Sequence, residues 1–240
     1  MSTSAALSAK QIAKMLNHSM LRPEMTRQEV AADCAMARRH DIASICIRPY
    51  DVVFCRGELA GSGVRISAVV GFPHGNSETD TKLFEATRAI DEGAEELDVV
   101  LPIGMVRSGE WDYTEEEVRR LCDAAHRRGV LVKVIFEDCL LSDEQVVSCC
   151  RLSEAAGADF VKTSTGYGGA GATVQRVKLM RASCSARVGV KAAGGIRTLD
   201  QFLALLAAGA VQQGTRSTVA IIEEALRREC AGTLVRAACT

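Results

Sequence analysis

The sequence predicts an α/β protein folded as one (β/α)8 barrel, a closed ring of eight parallel strands with helices between them and a short helix at the N-terminus. Three observations predict it. Short β-branched runs alternate with amphipathic helical stretches along nearly the whole chain, the pattern of a parallel sheet. Such units number eight, which favours a closed barrel over an open doubly wound sheet. No linker, repeat or change of composition divides the 240 residues, a normal length for a single barrel. One domain over 1–240 is expected, with residues 1–8 and 230–240 as loosely ordered tails.

Each element has its own warrant. After the opening helix comes a weak first strand near Asn17–Leu21, then Ala43–Ile47, Arg65–Val70, Glu95–Leu101, Val130–Phe136, Ala158–Thr163, Arg187–Ala192 and Ala210–Gly214. Strands covered on both sides should read as nearly continuous apolar runs, and Arg65–Val70 and Val130–Phe136 mostly do. The helical stretches include Arg27–His40, Thr79–Glu92, Thr114–Arg128, Ser142–Ala156, Thr173–Ser183 and Leu199–Ala208. Ser142-Asp-Glu-Gln145 has the capping-box pattern, and Thr173 and Thr198 are suited to cap a helix start. Gly93, Gly129, Gly157 and Gly209 each fall between a helix and a strand, where a residue tolerant of positive φ ends the helix.

Composition narrows the function classes. Apolar residues make up 48% of the chain, enough for a sizeable core, and Lys plus Arg (29) nearly balance Asp plus Glu (30). No overall field points to nucleic acid or a membrane, so anion binding must be local. The N-terminus lacks the apolar core of a signal peptide and no apolar run is long enough to span a bilayer, so the cytoplasm is the expected location. The ten cysteines form no CxxC pair and the four histidines fall at no zinc-ligand spacing, so no metal site is expected. His74 and Asn76 read as loop residues, and His40 and His126 as surface positions on helices.

The informative residues are charges inside strands. Side chains alternate along a strand, so Glu96, Asp98 and Val100 share one face. On the following strands Lys133, Ile135 and Glu137, then Phe160, Lys162 and Ser164, then Gly189, Lys191 and Ala193 do likewise. A buried lone charge costs several kcal/mol, so these groups must pair or shift their pKa. One reading is a structural ion-pair layer in which Asp98 and Glu137 neutralise Lys133 and Lys191. The other is an active site, because barrel enzymes place theirs at the strand C-termini, where Lys162 and Lys191 fall. Attack on a carbonyl needs a neutral amine, and an adjacent cation plus burial supplies one. Lys191 can be that cation, and Asp98 can move protons.

Glycines mark a second feature. Ala193-Gly194-Gly195-Ile196-Arg197 follows the seventh strand and Gly214-Thr215-Arg216-Ser217 the eighth, the usual phosphate cradle of this architecture. Gly166-Tyr-Gly168-Gly-Ala-Gly171 also fits G-x-G-x-x-G, which leaves a dinucleotide-binding oxidoreductase as an alternative. Against it, the motif lies in the sixth unit, and the next strand ends at Lys191 and not at an acidic ribose ligand.

Gly157-Ala-Asp-Phe-Val-Lys162-Thr-Ser-Thr-Gly166, Gly171-Ala-Thr-Val174, Val190-Lys191-Ala-Ala-Gly194-Gly-Ile-Arg197 and Glu96-Leu-Asp98-Val-Val100 together resemble the deoxyribose-phosphate aldolase family. The resemblance runs from about Ile12 to about Ala220 and includes Ser44-Ile-Cys46-Ile-Arg-Pro49 and Gly71-Phe-Pro-His-Gly-Asn76. It implies a class I aldolase that cleaves 2-deoxy-D-ribose 5-phosphate to acetaldehyde and D-glyceraldehyde 3-phosphate, with Lys162 forming the imine and Asp98 and Lys191 relaying protons. No metal or organic cofactor is implied, because the iminium is the electron sink. The implied partners are a small phosphorylated sugar, a short aldehyde and further copies of the chain, as a dimer or larger. Gly166, Gly194, Gly195, Gly214, Thr215, Arg216 and Ser217 would bind substrate and phosphate, with Asn17, Cys46, Lys133 and Thr165 as further pocket positions. Asn17 stands where the family usually has aspartate, Arg216 lies in a turn the family makes serine-rich, and the C-terminal tail lacks the tyrosine some members carry. Two alternatives remain besides the oxidoreductase. One is an aldolase-like paralogue acting on another hydroxy-carbonyl compound, the other a sugar-phosphate-binding barrel without turnover.

Overall fold

The computed structural model describes residues 7–234; the residues before and after, including most of the expected tails, lie outside it. Eight parallel strands close a ring in sequence order: β1 (Leu16–Met20), β2 (Ser44–Ile47), β3 (Arg65–Val70), β4 (Glu96–Val100), β5 (Leu131–Ile135), β6 (Phe160–Lys162), β7 (Gly189–Ala193) and β8 (Gln212–Thr215). The ring is sealed by β1 pairing with β8, Asn17 opposite Gly214. Its outer layer holds α2 (Arg27–Arg39), α3 (Val52–Glu58), α4 (Thr79–Glu92), α5 (Ile103–Ser108), α6 (Trp111–His126), α7 (Asp143–Ala155), α8 (Val174–Ser183), α9 (Leu199–Ala207) and α10 (Thr218–Cys230), after the N-terminal α1 (Ala9–Ala13).

The punctuation works as the sequence suggests. Ser142 and Thr198 complete capping boxes with Gln145 and Gln201, and the Thr173 hydroxyl accepts from Arg176 N–H. Gly93, with φ of 114°, closes α4 in the left-handed region that a Cβ disfavours. Helices α3 and α5 go beyond the sequence expectation; each spans less than two turns and contains a glycine, too little for a 3.6-residue period to register. Strand β6 is only three residues long, although Thr163 N–H still reaches Lys191 O at 3.1 Å.

Strand alternation separates two environments. Ile45, Ile66, Ala68, Leu97, Val99, Val132, Val134, Val161 and Val190 point outward and form one apolar core with the helices. The inward faces carry Asn17, Ser44, Ser67, Glu96, Asp98, Lys133, Lys162 and Lys191, all buried. Above them, Leu21, Cys46 and Val69 make a small separate apolar cluster against Phe72. The hydrophobic effect therefore acts mainly between the sheet and the helices, and the barrel axis is polar. Of the nine described cysteines, all free, six are buried, in keeping with their use as small hydrophobes. No described helix is long and apolar enough to cross a membrane.

A second buried ion pair locks the outer layer. Lys82 of α4 donates to Glu117 Oε1 of α6 (2.6 Å) and to the Val100 carbonyl at the end of β4 (2.9 Å), while Thr79 donates to Glu117 Oε2. Burial pushes the Lys82 amine down and the Glu117 carboxyl up, each opposed by the attraction of the other. Gly71 has no side chain because a Cβ there would lie 2.8 Å from Lys82 Cε. Removing one partner strands the other charge, so Lys82→Met should cost about 3–5 kcal/mol in chemical denaturation. Lys82→Met combined with Glu117→Leu should recover most of that loss; equal losses in the single and double variants would contradict the pairing.

Candidate active site

Asp98, midway along β4, organises the barrel interior. Its Oδ2 accepts from Lys162 Nζ at 2.5 Å and from Lys191 Nζ at 2.7 Å, and its Oδ1 accepts from Lys133 Nζ at 2.9 Å and Ser67 Oγ at 2.8 Å. Contacts between non-neighbouring strands are possible here because these side chains point to the axis from β3, β4, β5, β6 and β7. Lys133 also binds Glu96 Oε2 (2.5 Å), whose other oxygen meets Arg65 at 3.0 Å. Lys191 donates in addition to Asn17 Oδ1 (3.0 Å), and Asn17 Nδ2 donates to Ser44 Oγ (2.6 Å).

The electrostatics follow from burial and from this pairing. Burial alone would raise the Asp98 carboxyl, but Lys133, Lys162 and Lys191 outweigh it and hold it well below the usual carboxylate range. Burial lowers Lys133, yet Asp98 and Glu96 together keep its amine above the ordinary lysine value. Lys191 lacks a carboxylate of its own. Burial, assisted by Lys162 and Lys133 and opposed by Asp98, lowers it to about 8. Lys133 is thus a fixed cation, and Lys162 and Lys191 share one carboxylate oxygen.

Above this cluster opens a cavity of about 360 Å³ at the C-terminal end of the barrel. Its lining includes Lys162, Asn17, Cys46, Thr165, Gly166, Gly194, Gly195, Gly214, Thr215, Arg216 and Ser217, so these sequence-predicted positions are brought together. Lys133 is not among them: as a pocket position it is corrected, because Glu96, Asp98 and Ser67 hold it fully buried below the cavity. Asp98 and Lys191 are likewise buried and outside the lining, and meet it through Lys162 and Asn17.

The three βα loops at the mouth have specific backbone needs. Gly166, Gly194 and Gly195 have φ of 90°, 86° and 77°, and a Cβ at Gly194 would lie 2.9 Å from Gly171 Cα. The Thr215 hydroxyl donates to Ile196 O at 2.6 Å and accepts from Ser217 N–H, fastening the eighth loop to the seventh. Its proton is therefore engaged, and Ser217 is the other hydroxyl residue of this turn that lines the cavity. Arg216 donates to Ser19 O (2.9 Å) and lies 3.8 Å from Asp33, so it ties the eighth loop to β1 and α2 while lining the cavity.

The structure places several further residues at or beside the cavity. Glu137, expected to neutralise a barrel lysine, lies beyond β5 with its carboxylate on Thr165; Glu96 takes the place expected for it. Glu96 sits within β4, where alternation turns it inward, whereas Glu137 lies two residues past the end of β5 in a left-handed conformation, where alternation no longer applies. Arg22, Tyr167 and Arg197 also line the cavity. Together with Arg216 this places three guanidinium groups on the lining and, among the described residues, no carboxylate, a lining suited to an anion. His74 and Asn76 are exposed and lie outside this cavity, His126 is exposed beside Asp159, and His40 is half-buried.

A lysine amine at the floor of a barrel-end cavity, backed by a buried carboxylate and a second lysine, is the equipment of a class I aldolase. Comparison agrees. The model of the DeoC/LacD family aldolases matches residues 11–224. A deoxyribose-phosphate aldolase of Thermococcus gammatolerans is 43% identical over 91% of this chain and 98% of its own length. One from Caldanaerobacter subterraneus is 45% identical over 89% and 93%. The solved structure of the deoxyribose-phosphate aldolase of Aeropyrum pernix, described as a unique tetramer, superposes with a TM-score of 0.85 at 31% identity, covering 90% of this chain and 92% of that one. The chain belongs to the DeoC/LacD aldolase family and is a lyase. The oxidoreductase alternative falls with this. The Gly166–Gly171 stretch is a barrel loop after β6, and Gly171 packs on Gly194 O.

The Lys191 shift sets a pH expectation. Below about 8 its amine is an ammonium; above, it is neutral. The 13Cε resonance of Lys191 in the labelled protein should titrate with a midpoint near 8. Asp98→Asn removes the anion that opposes burial, so the midpoint should fall further. A midpoint at the ordinary lysine value of 10.5 would contradict the assignment.

Proposed function

We propose that the chain reversibly cleaves 2-deoxy-D-ribose 5-phosphate to acetaldehyde and D-glyceraldehyde 3-phosphate through an imine on Lys162. The observation that carries this reading is Lys162 Nζ at the cavity floor, 2.5 Å from the Asp98 oxygen that also binds Lys191. The relatives named for that reaction support the substrate.

In the proposed sequence the neutral Lys162 amine attacks the C1 aldehyde to give a carbinolamine, which takes a proton from the relay and loses water to form the iminium. The proton of the C3 hydroxyl passes through water in the cavity to the relay formed by Asp98 and Lys191. The C2–C3 electron pair moves toward the iminium, leaving an enamine on Lys162, and D-glyceraldehyde 3-phosphate departs. The relay returns a proton to C2, and water hydrolyses the resulting imine to acetaldehyde and free Lys162. No metal or organic cofactor enters, because the iminium accepts the electron pair. General acid–base steps of this kind contribute roughly 10²–10⁴-fold.

The phosphate would lie against the loops after β6, β7 and β8, where bare glycine backbone, Ser217 and the arginines of the rim converge. Asn17 keeps the hydrogen bond to Lys191 that an aspartate could make but adds no charge, which favours a Lys191 whose amine gives up its proton more readily. A phosphorylated hydroxy-carbonyl compound of another kind is the second reading, favoured by Arg216 in the phosphate turn. Cytoplasmic residence, a role in deoxyribonucleotide catabolism and assembly into a dimer or larger complete the proposal.

Borohydride reduction in the presence of acetaldehyde should place an ethyl group on Lys162, detectable by peptide mass spectrometry. A protein that stays unmodified at Lys162 would exclude the imine. Deoxyribose 5-phosphate should be cleaved with a kcat/KM at least about tenfold above that of deoxyribose, one or more charge-assisted phosphate contacts making the difference. Equal values would remove the phosphate cradle.

A further inference from the structure

Glu137 stands outside the chemistry described so far and is held in an unusual way. It follows β5 with φ of 52° and ψ of 56°, a left-handed conformation that a residue with a Cβ adopts at a cost. It is buried, 2% exposed, and does not line the cavity. Its carboxylate accepts from Thr165 N–H at 3.2 and 3.3 Å and from the Thr165 hydroxyl through a short contact. The Thr165 oxygen in turn accepts from Tyr167 N–H at 3.0 Å. Gly168 lies directly on the carboxylate: a Cβ there would be 2.4 Å from Glu137 Cδ. The next residue repeats the device one step back, with Asp138 N–H donating to Thr163 O and Asp138 Oδ1 accepting from Ser164 Oγ.

A buried carboxylate with its lone pairs on a loop's N–H and hydroxyl fixes that loop more tightly than neutral contacts would. The loop in question, residues 165–168, begins three residues after Lys162, and its Thr165, Gly166 and Tyr167 line the cavity. Tyr167 is further pinned by an edge-on contact with Phe72, the ring centres 5.5 Å apart.

We propose that Glu137 is a positioning residue for the phosphate end of the cavity, clamping Thr165 so that the loop carrying Gly166 and Tyr167 keeps the shape that receives a sugar phosphate. The proposal rests on the substrate reading given above. It makes Glu137 a determinant of discrimination between phosphorylated and unphosphorylated sugars, acting through the loop.

The test compares kcat and KM for deoxyribose 5-phosphate and for deoxyribose in the wild type, Glu137→Ala, Glu137→Gln and Thr165→Val. Glu137→Ala should lower the ratio of the two kcat/KM values about tenfold or more, through KM for the phosphorylated sugar. Glu137→Gln, which keeps an oxygen for Thr165, should retain most of the ratio. Thr165→Val keeps the N–H contact and loses the hydroxyl links, so it should shift the ratio in the same direction by less, and it carries the test if Glu137→Ala fails to fold. Acetaldehyde trapping at Lys162 checks in each variant that the amine is still presented. A wild-type preference for phosphate that persists unchanged in Glu137→Ala or Thr165→Val overturns the clamp alone, as does an equal fall for both sugars. A wild type indifferent to phosphate overturns the substrate reading, and the clamp with it.

Discussion

The Asp98 carboxylate, sealed inside the barrel among three lysine amines, is the constraint on which the rest of the interior depends. Without it Lys133, Lys162 and Lys191 would repel one another in a region from which water is largely excluded, and burial would drive their protons off. With it, the two oxygens divide the lysines. Oδ1 is committed to Lys133 and Ser67, while Oδ2 faces Lys162 and Lys191. Lys133 has Glu96 as a second anion, so it stays charged and anchors the cluster from below. Lys191 has the neutral Asn17 as its second partner, and its amine drops to about 8. The same residue type thus holds its proton firmly at one position and more loosely at the other, and the charge of the second partner separates the two.

The polar axis is tolerable because the apolar core lies elsewhere. Outward strand residues and helices α2 to α10 bury the hydrophobic surface, leaving the inward faces free to carry charges that are all hydrogen-bonded to one another. The mouth is assembled by the same logic of paired polar groups. Thr215 fastens the eighth loop to the seventh, Arg216 joins the eighth to β1, and Glu137 holds the sixth from beyond the end of β5. Glycine supplies the left-handed turns where the backbone must approach the cavity bare. Rigid strands thereby hold the amine, and braced loops shape the space above it.

Much of this was legible in the chain. The barrel followed from the alternation of β-branched and amphipathic segments, and helix ends followed from Ser142, Thr198 and Gly93, whose signals are local. Lys162 and Lys191 stood out because lysine is out of place in a strand buried on both faces. Lys82 gave no such signal: a lysine on an amphipathic helix reads as solvated, and its burial depends on Glu117 and the end of β4 closing over it. Thr215 looked like a hydroxyl for an anion until the position of Ile196 O showed where its proton goes.

The sequence by itself determined the fold class, the faces of the strands and the identity of the lysine at the cavity floor, because period, capping and misplaced charge are properties of neighbouring residues. The tertiary structure decided the partners. Alternation places Glu96, Asp98 and Lys133 toward the axis, but the pairing of adjacent strands sets the height at which each side chain arrives, and β5 ends before Glu137. Glu96 reaches Lys133, and Glu137 passes above the layer to Thr165. Which carboxylate meets which amine is a matter of register across strands, and register exists only once the ring is closed.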